Sequence, residues 1–205
     1  MVYQLIGLDL RLIKSYMKSM WVLIFVVGPL FSLVVKNTDM MVMYICLSAI
    51  MALGYPFAVA ESKKADLLYD VLPISKKQVV MGRYLYVIIV CAVAIAFVLA
   101  LNPIMTLIIG QPVDFVSLLN GVALLAAGLF VGAAYQLPLF FKLGFTKARI
   151  WGYAPFIGIG ASGMLLSQVT ELDLSWMFNI PPVFYLPVAC VLLAVSYFIS
   201  CKIYK

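Results

Sequence analysis

The sequence has no histidine and few charged residues. Its 205 residues include 14 lysines and arginines and 8 aspartates and glutamates, so 11% are charged, whereas 66% are hydrophobic. A soluble domain has roughly 25% charged residues. The shortage of charge therefore excludes an ordinary soluble domain and predicts an all-α membrane protein, because each membrane-spanning helix needs about 20 mostly apolar residues.

Motifs for catalysis, metal binding and nucleotide binding are also missing. The sequence contains no H-E-x-x-H, no G-x-S-x-G and no G-x-x-x-x-G-K-[ST] phosphate loop. Its four cysteines are scattered through apolar segments, which is not the spacing of a zinc site. We therefore expect no enzyme activity, no metal and no cofactor in this chain.

The predicted spans contain almost no ionisable residues either, because Glu61 and Arg83 fall at span ends. An ion-coupled transporter usually keeps a charged group at membrane depth, at a cost of about 2.5–3.5 kcal/mol. If this chain moves a substrate, we expect the energy to come from another subunit. A membrane-embedded enzyme is disfavoured for the same reason, since the spans lack convergent polar residues.

Hydropathy divides residues 20–205 into six predicted transmembrane helices. They are Met20–Val35, Met40–Ala60, Tyr84–Ile109, Phe115–Phe141, Ile150–Val169 and Val183–Cys201. The segment 170–182 is too polar to cross and predicts an extracellular or re-entrant piece. Residues 1–19 predict a separate helix in the membrane interface, with Arg11, Lys14 and Lys18 on the face toward the lipid headgroups.

The basic residues are distributed unequally over the two sides of the membrane. All of the 14 except Lys36 fall in the N-terminus, the 61–83 and 142–149 loops and the tail, which share one side in a six-span arrangement. By the positive-inside rule this side is cytoplasmic, so both termini are predicted to be cytoplasmic in a cell membrane. Because the net charge of +6 comes from span ends, it does not indicate a nucleic-acid partner.

Proline and glycine suggest where helices bend or meet. Each proline predicts either a tolerated kink or a hinge or broken helix used in transport, since proline removes a backbone donor. The strongest candidate for a broken helix is Asn102-Pro103. The pair Gly128-x-x-x-Gly132 predicts a small face for close helix contact, used either within the chain or at the seam of a dimer.

The segment Glu61–Tyr84, ESKKADLLYDVLPISKKQVVMGRY, is a charged stretch within this apolar chain. Ala65–Leu72 predicts a short amphipathic helix that ends at Pro73. Ser75 predicts the cap of the next helix, with Gln78 completing a capping box. We call residues 61–83 the coupling loop; the residues alone allow either a plain connection or a binding surface for a partner.

This segment resembles the characteristic loop of small ABC-2 type permeases of Gram-positive bacteria, which share its Leu72-Pro73-Ile74-Ser75 run followed by two basic residues. The opening LDLRL, Leu8–Leu12, is also similar to that family, and the chain looks most like the branch that exports phenol-soluble modulins. The six predicted spans extend the resemblance over the whole chain.

The resemblance implies a permease subunit of an exporter for amphipathic or hydrophobic peptides. Residues 1–19 would form the elbow helix, and a coupling helix would dock on a separate ATP-binding subunit that holds Mg-ATP. A second permease copy, identical or different, would complete the pair. The predicted coupling residues are Glu61, Lys63, Lys64, Asp66, Leu67, Leu68, Asp70, Leu72, Pro73, Ile74 and Ser75. The alternative is a non-transporting immunity or sensor protein that binds a partner through the coupling loop.

Overall fold

The computed structural model of the chain describes residues 27–30, 32–34, 36, 38–62, 75–110, 115–156 and 181–204. Its helices are α1 (Thr38–Ala52), α2 (Tyr55–Ser62), α3 (Lys76–Ile109), α4 (Phe115–Leu143) and α5 (Pro182–Ile203). Residues 145–156 form a further helical segment, and residues 27–30 and 32–34 are helical as well. These ranges contain no strand, and the predicted all-α class is confirmed for them.

Four stretches of the described chain are long and apolar enough to cross a membrane. They are Met41–Ser62, Lys76–Ile109, Phe115–Leu143 and Phe184–Ile203. They coincide with the second, third, fourth and sixth predicted spans. Residues 27–34 and 150–156, which belong to the first and fifth predicted spans, are helical where they are described. The elbow helix and the segment 170–180 lie outside the described residues.

The second span is interrupted between α1 and α2. Leu53 and Gly54 form a turn between the two helices. Pro56 follows directly and has no N–H to donate to the helix behind it. A Cβ built on Gly54 would lie 2.7 Å from Tyr153 Oη and 2.8 Å from a ring carbon of Phe145, so this turn has room only for glycine.

Two tyrosine hydroxyls satisfy the carbonyl groups at this break. Tyr153 donates its hydroxyl to Met51 O at 3.3 Å, and Tyr86 donates to Ala52 O at 3.3 Å. The tyrosines come from the 145–156 segment and from α3. A helix can break inside a membrane only where other protein groups bond the freed backbone atoms, and here two neighbouring helices do so.

The break predicted at Asn102-Pro103 is wrong, because α3 continues through Pro103 to Ile109. Thr106 donates its hydroxyl to Asn102 O at 2.8 Å, and its distance to Asn102 Oδ1 is 3.3 Å. These local bonds satisfy a buried polar side chain within the helix. Proline alone therefore does not decide where a membrane helix breaks.

The glycine face of α4 packs against α1. A Cβ at Gly128 would lie 3.0 Å from Cys46 Sγ, and one at Gly132 would lie 3.1 Å from a side-chain carbon of Ile50. Cys46 and Ile50 are one helical turn apart, so the two glycines admit one ridge of α1. Of the two uses open for this face, the structure shows packing within the chain.

The Gly128 contact predicts a disulfide within one chain when a cysteine is introduced there. In a variant that keeps Cys46 and replaces the other three cysteines with alanine, Gly128→Cys places its Cβ within bonding reach of Cys46 Sγ. Oxidation of the purified protein is expected to give a monomer on a non-reducing gel with both thiols blocked to maleimide. Gly121→Cys, whose Cβ faces Val42 at 3.7 Å, should keep both thiols reactive. A disulfide-linked dimer from Gly128→Cys would contradict the packing.

A buried chain of hydroxyl groups joins α5 to α3 and α4. Ser196 donates to Ala134 O at 2.8 Å, and Tyr84 Oη lies 2.7 Å from Ser196 Oγ and 2.9 Å from Ser200 Oγ. Because Ser196 uses its proton on the carbonyl, Tyr84 donates to Ser196 and accepts from Ser200. These bonds fix α5 laterally, while much of its other surface is exposed and apolar, as a lipid-facing helix requires.

Candidate functional site

One end of the bundle brings together the helix ends that border the coupling loop. Residues from α2, α3, α4, the 145–156 segment and the end of α5 line a single cavity there. We call this the basic end, because it also holds several exposed cations. These are Lys76, Lys77, Lys142, Lys147, Arg149 and Lys202. The structure thus places the described parts of these loops and of the tail at one end of the bundle, as the charge distribution predicts. That this end is cytoplasmic stays a prediction.

Two of the predicted coupling residues, Glu61 and Ser75, fall in the described part of the chain. Both are exposed at the basic end, one at the last turn of α2 and the other just before α3. The coupling residues between them, from Lys63 to Ile74, lie outside the described residues. So do the elbow residues Arg11, Lys14 and Lys18.

Ser75 fixes the start of α3. Its backbone is extended, with φ −73° and ψ 143°, and its N–H donates a hydrogen bond to Gln78 Oε1 at 3.0 Å. The glutamine half of the predicted capping box is confirmed by this bond. The coupling loop therefore returns to the bundle at a defined point, at the exposed end of a helix of 34 residues. A helix of that length measures about 50 Å, so it is tilted or extends beyond the ~30 Å hydrocarbon layer.

Glu61 fixes the other end of the coupling loop by a contact that the sequence did not predict. Its Oε2 accepts a hydrogen bond from the Thr146 N–H at 3.0 Å. Thr146 lies in the first turn of the 145–156 segment, where backbone N–H groups have no partner inside the helix. A carboxylate at this position is also favoured by the helix dipole. Glu61 thus caps a helix that is distant in sequence.

Gly144 lies directly before the 145–156 segment and cannot cap that segment itself. Its φ is +74°, a conformation that favours glycine, and its N–H donates to Phe140 O at 3.0 Å to end α4. Its own carbonyl accepts from the Ala148 N–H at 3.1 Å, so the next helix begins at the same residue. Glycine has no side chain to cap that helix, and Glu61 supplies the missing acceptor. The Leu-Gly-Phe junction between two apolar runs is the sequence signal that marks this corner.

Arg83 is a second residue with a contact that the sequence did not predict. It lies near the start of α3, seven residues after Lys76, and only 3% of its surface is exposed. Its guanidinium carbon is 5.0 Å from the centroid of the Phe57 ring, a cation–π contact. Burial of an arginine is costly unless neighbouring groups compensate its charge, so the groups around Arg83 must stabilise the guanidinium.

The cavity beside Arg83 has a volume of about 330 Å³. Aromatic side chains form much of its wall, with Phe57 at the centre of the group. Its ring centroid is 5.2 Å from that of Phe140 and 5.0 Å from that of Phe141. Phe141 in turn lies 5.2 Å from Tyr204 at the end of α5. Glu61 is at the margin of the same cavity.

In the part of the chain that the structure describes, the basic end holds no catalytic constellation. Within the described ranges, no group of three or more histidine, cysteine, aspartate or glutamate residues could hold a metal ion. The four cysteines are free. The arrangement instead provides two ends of the coupling loop that are bonded to the bundle. It also provides a break in the second span, separated from the loop by the short helix α2, and an aromatic cavity beside Arg83.

One family model, described as ABC-2 family transporter protein, matches residues 4–205. The match covers the elbow segment, the coupling loop and the 170–182 segment together with the described helices. No curated protein and no solved structure has a significant match to this chain.

Proposed function

Because this chain belongs to the ABC-2 transporter family, we propose that it is the transmembrane permease subunit of an ATP-driven exporter. The apolar helices agree with a membrane location. Since the sequence contains no phosphate loop, a separate subunit would bind Mg-ATP. A second permease copy, identical or different, would complete the transmembrane pair.

The observation that carries the proposal is the anchoring of both ends of the coupling loop. A docked ATP-binding subunit can do mechanical work on the membrane helices only if the contacted loop is attached firmly to them. Ser75 attaches it to the start of α3, and the Glu61–Thr146 bond attaches it to the 145–156 segment. A displacement of the loop would therefore move two separate helices.

A displacement of the coupling loop would bend the second span at the break formed by Leu53 and Gly54. The eight-residue helix α2 lies between the break and the coupling loop. It can tilt about Gly54 without moving α1, which is packed against α4. The hydroxyl bonds from Tyr86 and Tyr153 would define its position in one of two states. ATP would favour one state only by making the ATPase bind that state more tightly.

We propose amphipathic or hydrophobic peptides as the cargo. The resemblance of the coupling loop to that of peptide exporters supports this assignment. So does the composition of the described spans, where Arg83 near the basic end is the buried charged residue. A pathway with so few fixed charges suits a molecule that enters from the lipid or along an apolar cleft.

The experiment compares cells with and without this chain. We expect deletion to lower the amount of an amphipathic helical peptide in the medium and to raise it inside the cells, as measured by mass spectrometry. The plasmid-borne gene should restore export, and deletion of the partner ATPase should have the same effect as deletion of this chain. Unchanged peptide distribution in the deletion strain would refute the proposed cargo. Peptide sensitivity with unchanged export would instead indicate the non-transporting immunity protein.

A further inference from the structure

The cavity at the basic end has the construction of a ligand site. It lies where α2, α3, α4, α5 and the 145–156 segment end or begin, and its wall combines aromatic rings with one buried cation, Arg83. A volume of about 330 Å³ is within the range of small-molecule sites. Aromatic rings are typical of the level at which a helix leaves the hydrocarbon and meets the lipid headgroups.

Exposed lysines lie at the same end of the bundle, on four of the elements that line this cavity. Each lies within two residues of a lining residue, as follows from the positions of Val79, Phe141, Phe145 and Tyr204 in the wall. The lysines are Lys77, Lys142, Lys147 and Lys202. Because these elements come from different parts of the chain, only the fold collects their charges in one place.

Among the described residues, Glu61 is the one carboxylate in the cavity wall, and its charge is already engaged. It accepts the Thr146 N–H at the positive end of a helix. In the described part of the basic end, cations therefore outnumber carboxylates. The electrostatic potential at the mouth favours an anion, and the rings behind it favour an apolar group attached to that anion.

We propose that this cavity binds an anionic phospholipid of the leaflet at the basic end. The phosphate would lie between Arg83 and the lysines of the basic end, and the adjoining glycerol and upper acyl carbons would contact the rings of Phe57 and Phe141. Basic pockets between membrane helices are a general means of holding such headgroups. The site goes beyond the proposed export function, since it requires neither the peptide cargo nor the ATP-binding subunit.

The test uses the full-length protein purified in mild detergent and depleted of lipid. Dioleoyl phosphatidylglycerol is titrated while bound lipid is counted by native mass spectrometry, with dioleoyl phosphatidylcholine and sn-glycerol 3-phosphate as separate probes. We expect at least tenfold tighter binding of phosphatidylglycerol than of phosphatidylcholine, weakened by added salt. Equal binding of the two lipids would overturn the proposal. Equally tight binding of glycerol phosphate would show a site for a free anion and would also overturn it.

Variants locate the binding at the cavity. Replacing Lys142 or Lys202 with glutamine is expected to weaken phosphatidylglycerol binding about fivefold for each lysine removed. Both side chains are exposed, so the fold should persist. Lys36→Gln, at the opposite end of α1 from the break, removes an equal charge and should leave binding unchanged. Arg83→Gln should weaken phosphatidylglycerol binding more than either lysine variant does. If the lysine variants bind like the parent protein while Lys36→Gln does not, the lipid lies elsewhere.

Discussion

Replacing Leu68 with aspartate is expected to separate this chain from its ATP-binding subunit. In the proposed docking, Leu67, Leu68 and Leu72 enter an apolar groove of that subunit. An aspartate in such a groove would be a desolvated, unpaired charge. At a central contact the loss is at least about 2 kcal/mol, or roughly thirtyfold in affinity. Co-purification of the ATPase with tagged permease, and ATP hydrolysis coupled to transport, should both be lost.

A second aspartate substitution, which changes the net charge more than Leu68→Asp does, provides the control for this prediction. Lys76 is exposed in the first turn of α3, where an acidic residue is compatible with the helix dipole. Lys76→Asp therefore introduces an aspartate close to the predicted docking segment without disturbing the helix, and ATPase association should persist. The melting temperature of Leu68→Asp should equal that of the parent protein. Retained association and coupled hydrolysis in Leu68→Asp would show that the coupling loop is not the docking surface.

Gly54→Val is expected to cause the largest loss of folded protein among substitutions at the described glycines. The new Cβ would lie 2.7 Å from Tyr153 Oη and 2.8 Å from a ring carbon of Phe145. To make room, Tyr153 must leave the Met51 carbonyl and Phe145 must shift at the start of its helix. Overpacking of this kind costs about 1–3 kcal/mol, and the lost hydrogen bond adds to it. Thermal unfolding in detergent should show a melting temperature lower by several degrees.

Gly82 offers the control, since a Cβ there meets no atom within 4 Å and the residue lies inside α3. Gly82→Ala should leave the melting temperature unchanged or raise it slightly, because alanine favours a helix by roughly 0.5–1 kcal/mol over glycine. In a Gly54→Ala protein, adding Tyr153→Phe should recover part of the loss, as it removes the nearest clashing atom. Equal melting temperatures for Gly54→Val and Gly82→Ala would mean that the break is not closely packed.

Several features of this protein are visible in the sequence because they depend on residues close together along the chain. A span is an apolar run of about 20 residues, and a capping box needs only Ser75 and Gln78 three positions apart. The all-α class and the apolar spans that the structure describes follow from such local patterns. The charge distribution also predicts correctly that the described ends of the 61–83 loop, the 142–149 loop and the described end of the tail lie together.

The break in the second span shows where local patterns stop being sufficient. Asn102-Pro103 and Pro56 both have the sequence of a helix breaker, yet only the second lies beside a break. The neighbours differ: the Thr106 hydroxyl bonds Asn102 O within the same helix, whereas Tyr86 and Tyr153 from other elements bond the carbonyls at the break. No property of the prolines themselves distinguishes the two places.

The sequence by itself determines that this is a helical membrane protein with a charged coupling loop and no catalytic motif of its own, since composition and short-range spacing carry that information. Only the tertiary structure decides that Glu61 caps the helix at Thr146, that Arg83 is buried against Phe57, and that residues from five elements line one cavity. These contacts join residues far apart in the chain. Their free energy depends on distance in space, desolvation and the direction of backbone groups, and none of these is encoded by a local pattern.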